Sequence, residues 1–338
     1  MTPHPRLKTP LCELLGCEVP VMLAGMGGVS RWELAAAVAN AGGYAQLGMV
    51  REAPGLIASE IKALRAATPR PFAVNVIPSA TEPGLLDRQI GTCLDLGVTD
   101  FSFFWDVVPA VVTRVIAQGA RVIHQVGTVE AARQAEDAGA AVLVAQGVEA
   151  GGHVHGTAGM LQLVEAVARE AKVPVVASGG IASGAGLVAA LAAGAQGVHL
   201  GTAFLATQES FAHDYHKQRV VEAGPADTVY TDIYVLNWPA HAAVRVIANS
   251  VTRALGFNLT GHDPDRLPRE PIADEGGRPI LRYSTDSPLR ITTGDLEAMA
   301  LFAGQGVGAI HDIPTAAGRL RQIVTEAGAV LDRLEGRA

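Results

Sequence analysis

Most of the chain repeats one unit. An alanine-rich stretch with apolar positions at helical spacing ends near a glycine, and a short apolar run follows at once. Five copies are plain: residues 32–41 before Gly42, 85–96 before Gly97, 107–118 before Gly119, 129–138 before Gly139 and 184–193 before Gly194. Glycine suits the left-handed position that closes a helix. Runs that are apolar at nearly every residue fit strands buried on both faces, as parallel strands are. Eight such strands are predicted, at residues 20–24, 44–47, 72–76, 100–104, 122–124, 142–145, 174–177 and 197–200.

Eight β/α alternations predict the α/β class and a closed (β/α)8 TIM barrel, with a doubly wound open sheet as the alternative that periodicity leaves open. The repeat fails after about residue 205. Residues 215–258 read as helical in parts, with an amphipathic period over 240–255. The polar, proline-rich stretch 264–279 reads as a surface loop, and helical spacing resumes at 295–302 and 315–334. The expected layout is a barrel over 1–205, then a smaller, partly helical, substrate-capping subdomain inserted after strand eight over 206–290. Helices over 291–338 then return to the barrel.

Composition narrows the partners. The 338 residues are 49% hydrophobic, enough for a large core. A barrel uses about 250 residues, so the excess fits an appended subdomain better than two equal domains. The net charge of −7, without a Lys/Arg cluster, speaks against nucleic acid. No apolar run reaches the roughly 18 residues of a membrane span, and residues 1–10 lack the apolar stretch of a signal peptide. Cys12, Cys17 and Cys93 are odd in number and form no CxxC pair, so buried free thiols and a reducing cytoplasm are expected.

Barrel active sites form at the C-terminal ends of strands, and several of those ends carry unusual residues. Strand one runs into Gly25-Met26-Gly27-Gly28, strand three ends at Asn75 and strand five at His124-Gln125. Strand six leads into Gln146-Gly147-Val148-Glu149-Ala150-Gly151-Gly152-His153. Strands seven and eight end in Ser178-Gly179-Gly180 and Gly201-Thr202, at the usual phosphate position of such barrels. Glycines there let backbone N–H groups approach an anion, and a helix starting near Ser183 adds its dipole; either loop alone reads as well as a tight turn, and the two together at these strand ends favour a phosphate site. The site is shared with sugar-phosphate enzymes, so a phosphate by itself names no ligand. Gly151-Gly152 lets backbone lie flat against a planar ligand, and His153 follows at the barrel mouth. A neutral imidazole there takes a proton from carbon or donates to a developing anion. His155 reads as a surface residue. A His153/His155 metal pair has no carboxylate at a convincing spacing, so no metal is expected. Phe103, Phe104, Trp105, Trp238, Tyr283 and Phe302 are candidates for a pocket lining, with ordinary packing as the plainer role.

These motifs, with Pro20-Val21-Met22-Leu23-Ala24-Gly25-Met26, residues 36–43, Val74-Asn75, residues 177–181, Gly201-Thr202-Ala203-Phe204-Leu205 and Ala303-Gly304-Gln305-Gly306, resemble in order and spacing those of nitronate monooxygenases, formerly called 2-nitropropane dioxygenases. The resemblance implies noncovalent FMN, with Met26, Asn75, Gln125 and Gln146 contacting the flavin and Gly151 beside the ring. It implies Gly179, Gly180, Gly201 and Thr202 at the phosphate, and His153 as the catalytic residue. His199 departs from the glutamine usual in the family and is expected to reach the phosphate. The segment 230–290 matches only loosely. The implied reaction is oxidation of an alkyl nitronate or nitroalkane with O2 to a carbonyl compound and nitrite. The implied partners are the small nitro compound and O2, and a homodimer is carried as the expected assembly. FMN-dependent enoyl-ACP reductases share the Glu-Ala-Gly-Gly-His loop, so an NADH- or NADPH-dependent flavin reductase is the alternative. A flavin-free ligand-binding barrel is a third reading.

Overall fold

In the computed structural model, residues 3–240 and 242–336 are described. Met1 and Thr2, at the head of the segment read for a leader, and His241, within the 240–255 period, lie outside them.

Eight parallel strands form the barrel: β1 (Val21–Leu23), β2 (Ala45–Gly48), β3 (Phe72–Val76), β4 (Asp100–Phe103), β5 (Arg121–Val126), β6 (Val142–Gln146), β7 (Val175–Ser178) and β8 (Gly197–Leu200). Each pairs in parallel with its neighbour in the chain, and β1 pairs with β8 through Val21–Val198, Met22–His199 and Leu23–Leu200. Closure comes at Met22 and Tyr44, where the Leu23 N–H donates to Tyr44 O and the Tyr44 N–H to Val21 O, each at 2.9 Å. The open-sheet alternative is therefore excluded.

The helices follow the repeat. After α1 (Pro10–Leu15) come α2 (Trp32–Asn40), α3 (Pro54–Ala67), α4 (Pro83–Asp95), α5 (Pro109–Ala117), α6 (Val129–Asp137), α7 (Met160–Glu170) and α8 (Gly184–Ala192). Proline opens α3, α4 and α5, where its missing N–H costs nothing and its fixed φ suits the first turn. The five closing glycines all have positive φ, from 69° at Gly97 to 104° at Gly139. At Gly97 the helix end is tied off by Gly97 N–H to Leu94 O at 2.8 Å and Val98 N–H to Cys93 O at 2.9 Å.

Inside the barrel, Met22, Tyr44, Ala73, Ile123, Val144 and Val176 form a small core that Leu11 and Leu15 of α1 close from the N-terminal end. The larger core lies between strands and helices. Beyond β8 come α9 (Thr202–Leu205), α10 (Asp214–Glu222), α11 (Ser250–Leu255) and α12 (Ala316–Leu334). Helix α12 packs between α8 and α2 and so fills the eighth helical position. None of the described helices is long and apolar enough to cross a membrane. Cys12 and Cys93 are buried, Cys17 is partly buried, and all three are free.

The region after β8 is less helical than its pattern predicted. Within 240–255, Val244–Ile247 is strand β10, antiparallel to β9 (Thr228–Thr231), and only Ser250–Leu255 is helix. The alternation of Val244, Arg245 and Val246 suits a strand. Val244 and Val246 bury themselves with Ile233, Tyr234, Val251, Ala298 and Ala300 in a separate core. The expected loop at 264–279 contains strand β11 (Pro271–Glu275), which turns through Gly276-Gly277 into β12 (Arg278–Leu281) and pairs on its other edge with β13 (Thr292–Gly294). Both glycines have positive φ, 62° and 91°, the signature of a two-residue hairpin turn. Residues 295–302 hold only a short 3-10 turn at Leu296–Ala298.

Candidate active site

The C-terminal ends of the strands open into a cavity of about 610 Å³, roofed on one side by residues from 237–238 and 275–289. Met26, Asn75, Gln125, Gln146, Gly151, His153, Gly179, Gly180, His199, Gly201 and Thr202 all line it. Eleven positions spread over 177 residues of sequence thus face one space, because each follows or ends a strand of one barrel.

At one end is a cradle built from the turns after β7 and β8. Gly179 and Gly180 have φ of 114° and 71°, a region that side-chain-bearing residues rarely adopt. A Cβ on Gly180 would lie 3.0 Å from that of Glu149, and one on Gly179 3.1 Å from the Ala150 nitrogen. Two N–H groups of the first turn of α8 are already engaged: Gly184 by the Glu326 carboxylate at 3.0 Å and Gly186 by the Ser183 hydroxyl at 3.2 Å. His199 stands below the cradle with Nδ1 3.4 Å from the Ser178 hydroxyl. Its Nε2 is buried without a hydrogen-bond partner, and burial lowers its pKa to about 4. The Thr202 hydroxyl accepts from the Gly304 N–H at 3.0 Å, which ties the Ala303–Gly306 motif to this end.

Asn75 and Gln146 are held in place by the backbone. The Asn75 amide donates to Ser102 O at 3.0 Å, and Gly25 admits Asn75 because a Cβ at residue 25 would collide with the asparagine side chain. The Gln146 amide donates to His153 O at 2.9 Å, and its oxygen accepts from the His155 N–H at 3.4 Å. Gly151 packs against the 303–304 peptide so closely that a Cβ there would strike Gly304 N. Glu149 faces away from the cavity chemistry: its carboxylate accepts from the Met160 N–H at 2.9 Å, at the start of α7.

His153 is fixed from the other side of the fold. Residues Gly152–His153 form a short strand that pairs with Arg245 and Val244 of β10. Arg245 also donates to Val148 O at 2.9 and 3.1 Å. The His153 ring stacks on Trp238, with centroids 3.7 Å apart and planes 23° off parallel. Nε2 of His153 is buried and unpartnered. Burial, and then the nearby Arg51 cation, hold its pKa down to about 3, so the ring is neutral at neutral pH. His155, two residues on, turns away and its Nε2 lies 3.1 Å from Asp106.

Among the aromatic candidates, Phe104, Trp238 and Phe302 line the cavity. Phe103 is buried in the main core, Tyr283 packs on the separate core, and Trp105 stands behind the cavity edge-on to Trp238 and both loop histidines. Sequence reasoning missed Arg51, Glu52, Asn237, Glu275, Arg278, Thr285 and Asp286, which form the outer end. Only the Gly276-Gly277 pair gave a local signal, and it marks the hairpin that carries Glu275 and Arg278.

This geometry agrees with relationships over the whole chain. The family described as nitronate monooxygenase matches residues 8–89 and 80–326. The chain belongs to the nitronate monooxygenase family. As a member it is an oxidoreductase, and the family is one of flavin enzymes. Its relatives differ in activity. A nitronate monooxygenase of Paraburkholderia phytofirmans is 31% identical, over 91% of this chain and 92% of that protein. A (3aS,4S,5R,7aS)-5-hydroxy-7a-methyl-1-oxo-octahydro-1H-indene-4-carboxyl-CoA dehydrogenase of Mycobacterium tuberculosis is 32% identical over 95% and 96%. The solved structure of FabK from Thermotoga maritima superposes with a TM-score of 0.82 at 29% identity, covering 98% of this chain and 99% of that one.

Proposed function

We propose that the protein is an FMN-dependent nitronate monooxygenase that converts an alkyl nitronate, with O2, to a carbonyl compound and nitrite. The observation that carries this reading is His153: a neutral imidazole lining the cavity, with a buried and unpartnered Nε2 and a cationic neighbour.

The cavity fits FMN. The Gly179-Gly180 cradle, the orphaned Nε2 of His199 and the Gly201-Thr202 turn suit a phosphate. Met26, Asn75, Gln125 and Gln146 supply apolar and amide contacts for a flavin ring, and Gly151 supplies a flat backbone face. When bound, FMN provides the electron-accepting chemistry that the side chains lack.

The low proton affinity of His153 bears on the substrate. A base with a pKa of about 3 is a weak acceptor until negative charge develops beside it. A nitronate has already lost its α-proton, so His153 need only orient it and donate a hydrogen bond. A neutral nitroalkane demands the proton transfer as well. The nitronate is therefore the better substrate of the two. The test is aerobic turnover of propane-2-nitronate by the flavin-loaded protein: nitrite and acetone are expected to appear together with O2 consumption. No nitrite above the uncatalysed background would remove this reading.

A second reading, a flavin-dependent reductase or dehydrogenase acting with a nicotinamide cofactor, is favoured by the mycobacterial CoA-ester dehydrogenase and by FabK, which match this chain over nearly its full length. Under that reading NADH or NADPH reduces the bound flavin and nitronate does not.

A further inference from the structure

We infer that Arg51 is the anion-binding residue of the reaction end of the cavity, receiving the two oxygens of a nitronate head group. For the identity of the anion this rests on the nitronate reading; the anion subsite itself rests on Arg51 and its surroundings.

Arg51 follows β2 and lines the cavity. Its backbone has φ 59°, a conformation that costs a side-chain-bearing residue energy and persists only where the surroundings impose it. Its guanidinium donates to Asn237 O at 2.6 Å and contacts the Thr285 hydroxyl at 3.4 Å, both neutral acceptors. It makes no ion pair among the described residues, whereas the carboxylates around it are engaged elsewhere. Glu52 is 3.0 Å from Arg31, Glu275 is 2.9 Å from Arg278, and Asp286 is 3.1 Å from Arg278 and accepts from the Asn237 amide at 2.9 Å. A partly buried cation on a cavity wall, with its neighbouring carboxylates bound to other partners, is complementary to an anionic ligand.

Position decides which anion. The Arg51 guanidinium lies 5.6 Å from the centre of the Trp238 ring, and Trp238 stacks on His153. Arg51 thus belongs to the same end as His153, while the phosphate cradle follows β7 and β8. The planar fork of arginine matches two oxygens on one planar atom, which a nitronate presents.

The test uses flavin-loaded protein and inorganic nitrate, a planar anion with the same paired oxygens, read by perturbation of the bound flavin's absorbance. Wild type is expected to bind nitrate saturably. Arg51→Gln, which keeps a donor for Asn237 O but loses the charge, is expected to bind it at least tenfold more weakly with flavin content unchanged. If that variant does not fold, Arg51→Lys carries the comparison, with several-fold weaker binding expected from loss of the fork. Absence of saturable nitrate binding in wild type overturns the proposal, as does binding by the folded Gln variant, or by Lys in its place, as tight as wild type. A wild type that binds nitrate through Arg51 yet oxidises no nitronate leaves the anion subsite standing and defeats only the nitronate reading.

Discussion

The two ends of the cavity are built on different physics. At the cradle end, Gly179, Gly180, Gly201, Thr202 and His199 offer backbone N–H groups, a hydroxyl and a neutral imidazole, with no formal charge. At the outer end stand Arg51, Glu52, Glu275, Arg278 and Asp286 around the Trp238–His153 stack. The first end is made of turns rigidly joined to the barrel and suits a group that stays. The second is assembled across the barrel and the appended sheets, and suits a group that comes and goes.

The sharpest separation of the ends is at His153. His153→Ala is expected to reduce turnover of a neutral nitroalkane by about 10²–10⁴-fold, the usual worth of a positioned proton-transfer group, and that of the preformed nitronate less. Flavin content should not change. Steady-state rates at matched flavin occupancy check this, and near-wild-type rates with both substrates would take His153 out of the mechanism.

Gly180→Leu attacks the other end. Leucine would be strained at φ near 71° and would set its Cβ 3.0 Å from that of Glu149, which would have to give way. Flavin retention after dialysis is expected to fall at least tenfold in a protein that still folds. Full retention by the folded variant contradicts the cradle assignment.

Both ends hold a histidine kept neutral by its surroundings, His199 buried and His153 partly buried, and these set an acid limit. His199 and His153 have folded-state pKa values of about 4 and 3, and His124 and His216, elsewhere in the core, of about 4, all lowered mainly by burial from 6.5. The unfolded chain binds these protons first, so the stability they contribute is full above about pH 6.5. It is lost progressively as pH falls from there through about 4. The urea midpoint is expected to be clearly lower at pH 5 than at pH 7.5, and a flat profile would contradict neutral burial.

The smallest effect is expected at His155. Its contact with the exposed Asp106 is a surface pair, worth about 0–1 kcal/mol. His155→Ala should leave turnover within about twofold of wild type, since that pair has no part in the cavity. A greater loss there than at His153 would mean that the two histidines of the loop have been given each other's roles.

The same contrast explains what could be read in the sequence. The cradle is local: Ser178-Gly179-Gly180 and Gly201-Thr202 sit at strand ends that the apolar runs mark, and the helix-closing glycines fix the frame. Five of the eight strands follow one of those glycines, and all eight are short and largely apolar, which makes the barrel legible. The outer end is not local. Arg51 meets Asn237 and Thr285 across more than 180 residues, and nothing beside Arg51 in the chain announces the meeting. The spacing of Val244, Ile247, Val251 and Leu255 also fits a helical period, and pairing of β10 with β9 and with the His153 strand decided the outcome. Tertiary contact, rather than local preference, builds the outer wall of the cavity.

The most direct measurement is the absorbance spectrum of the flavin-loaded protein under anaerobic conditions, recorded after propane-2-nitronate and, separately, after NADH and NADPH. Rapid loss of the oxidised-flavin band with the nitronate, and its persistence with both nicotinamides, is the expected result. Bleaching by a nicotinamide with no response to the nitronate would contradict the account and assign the cavity to a reductase.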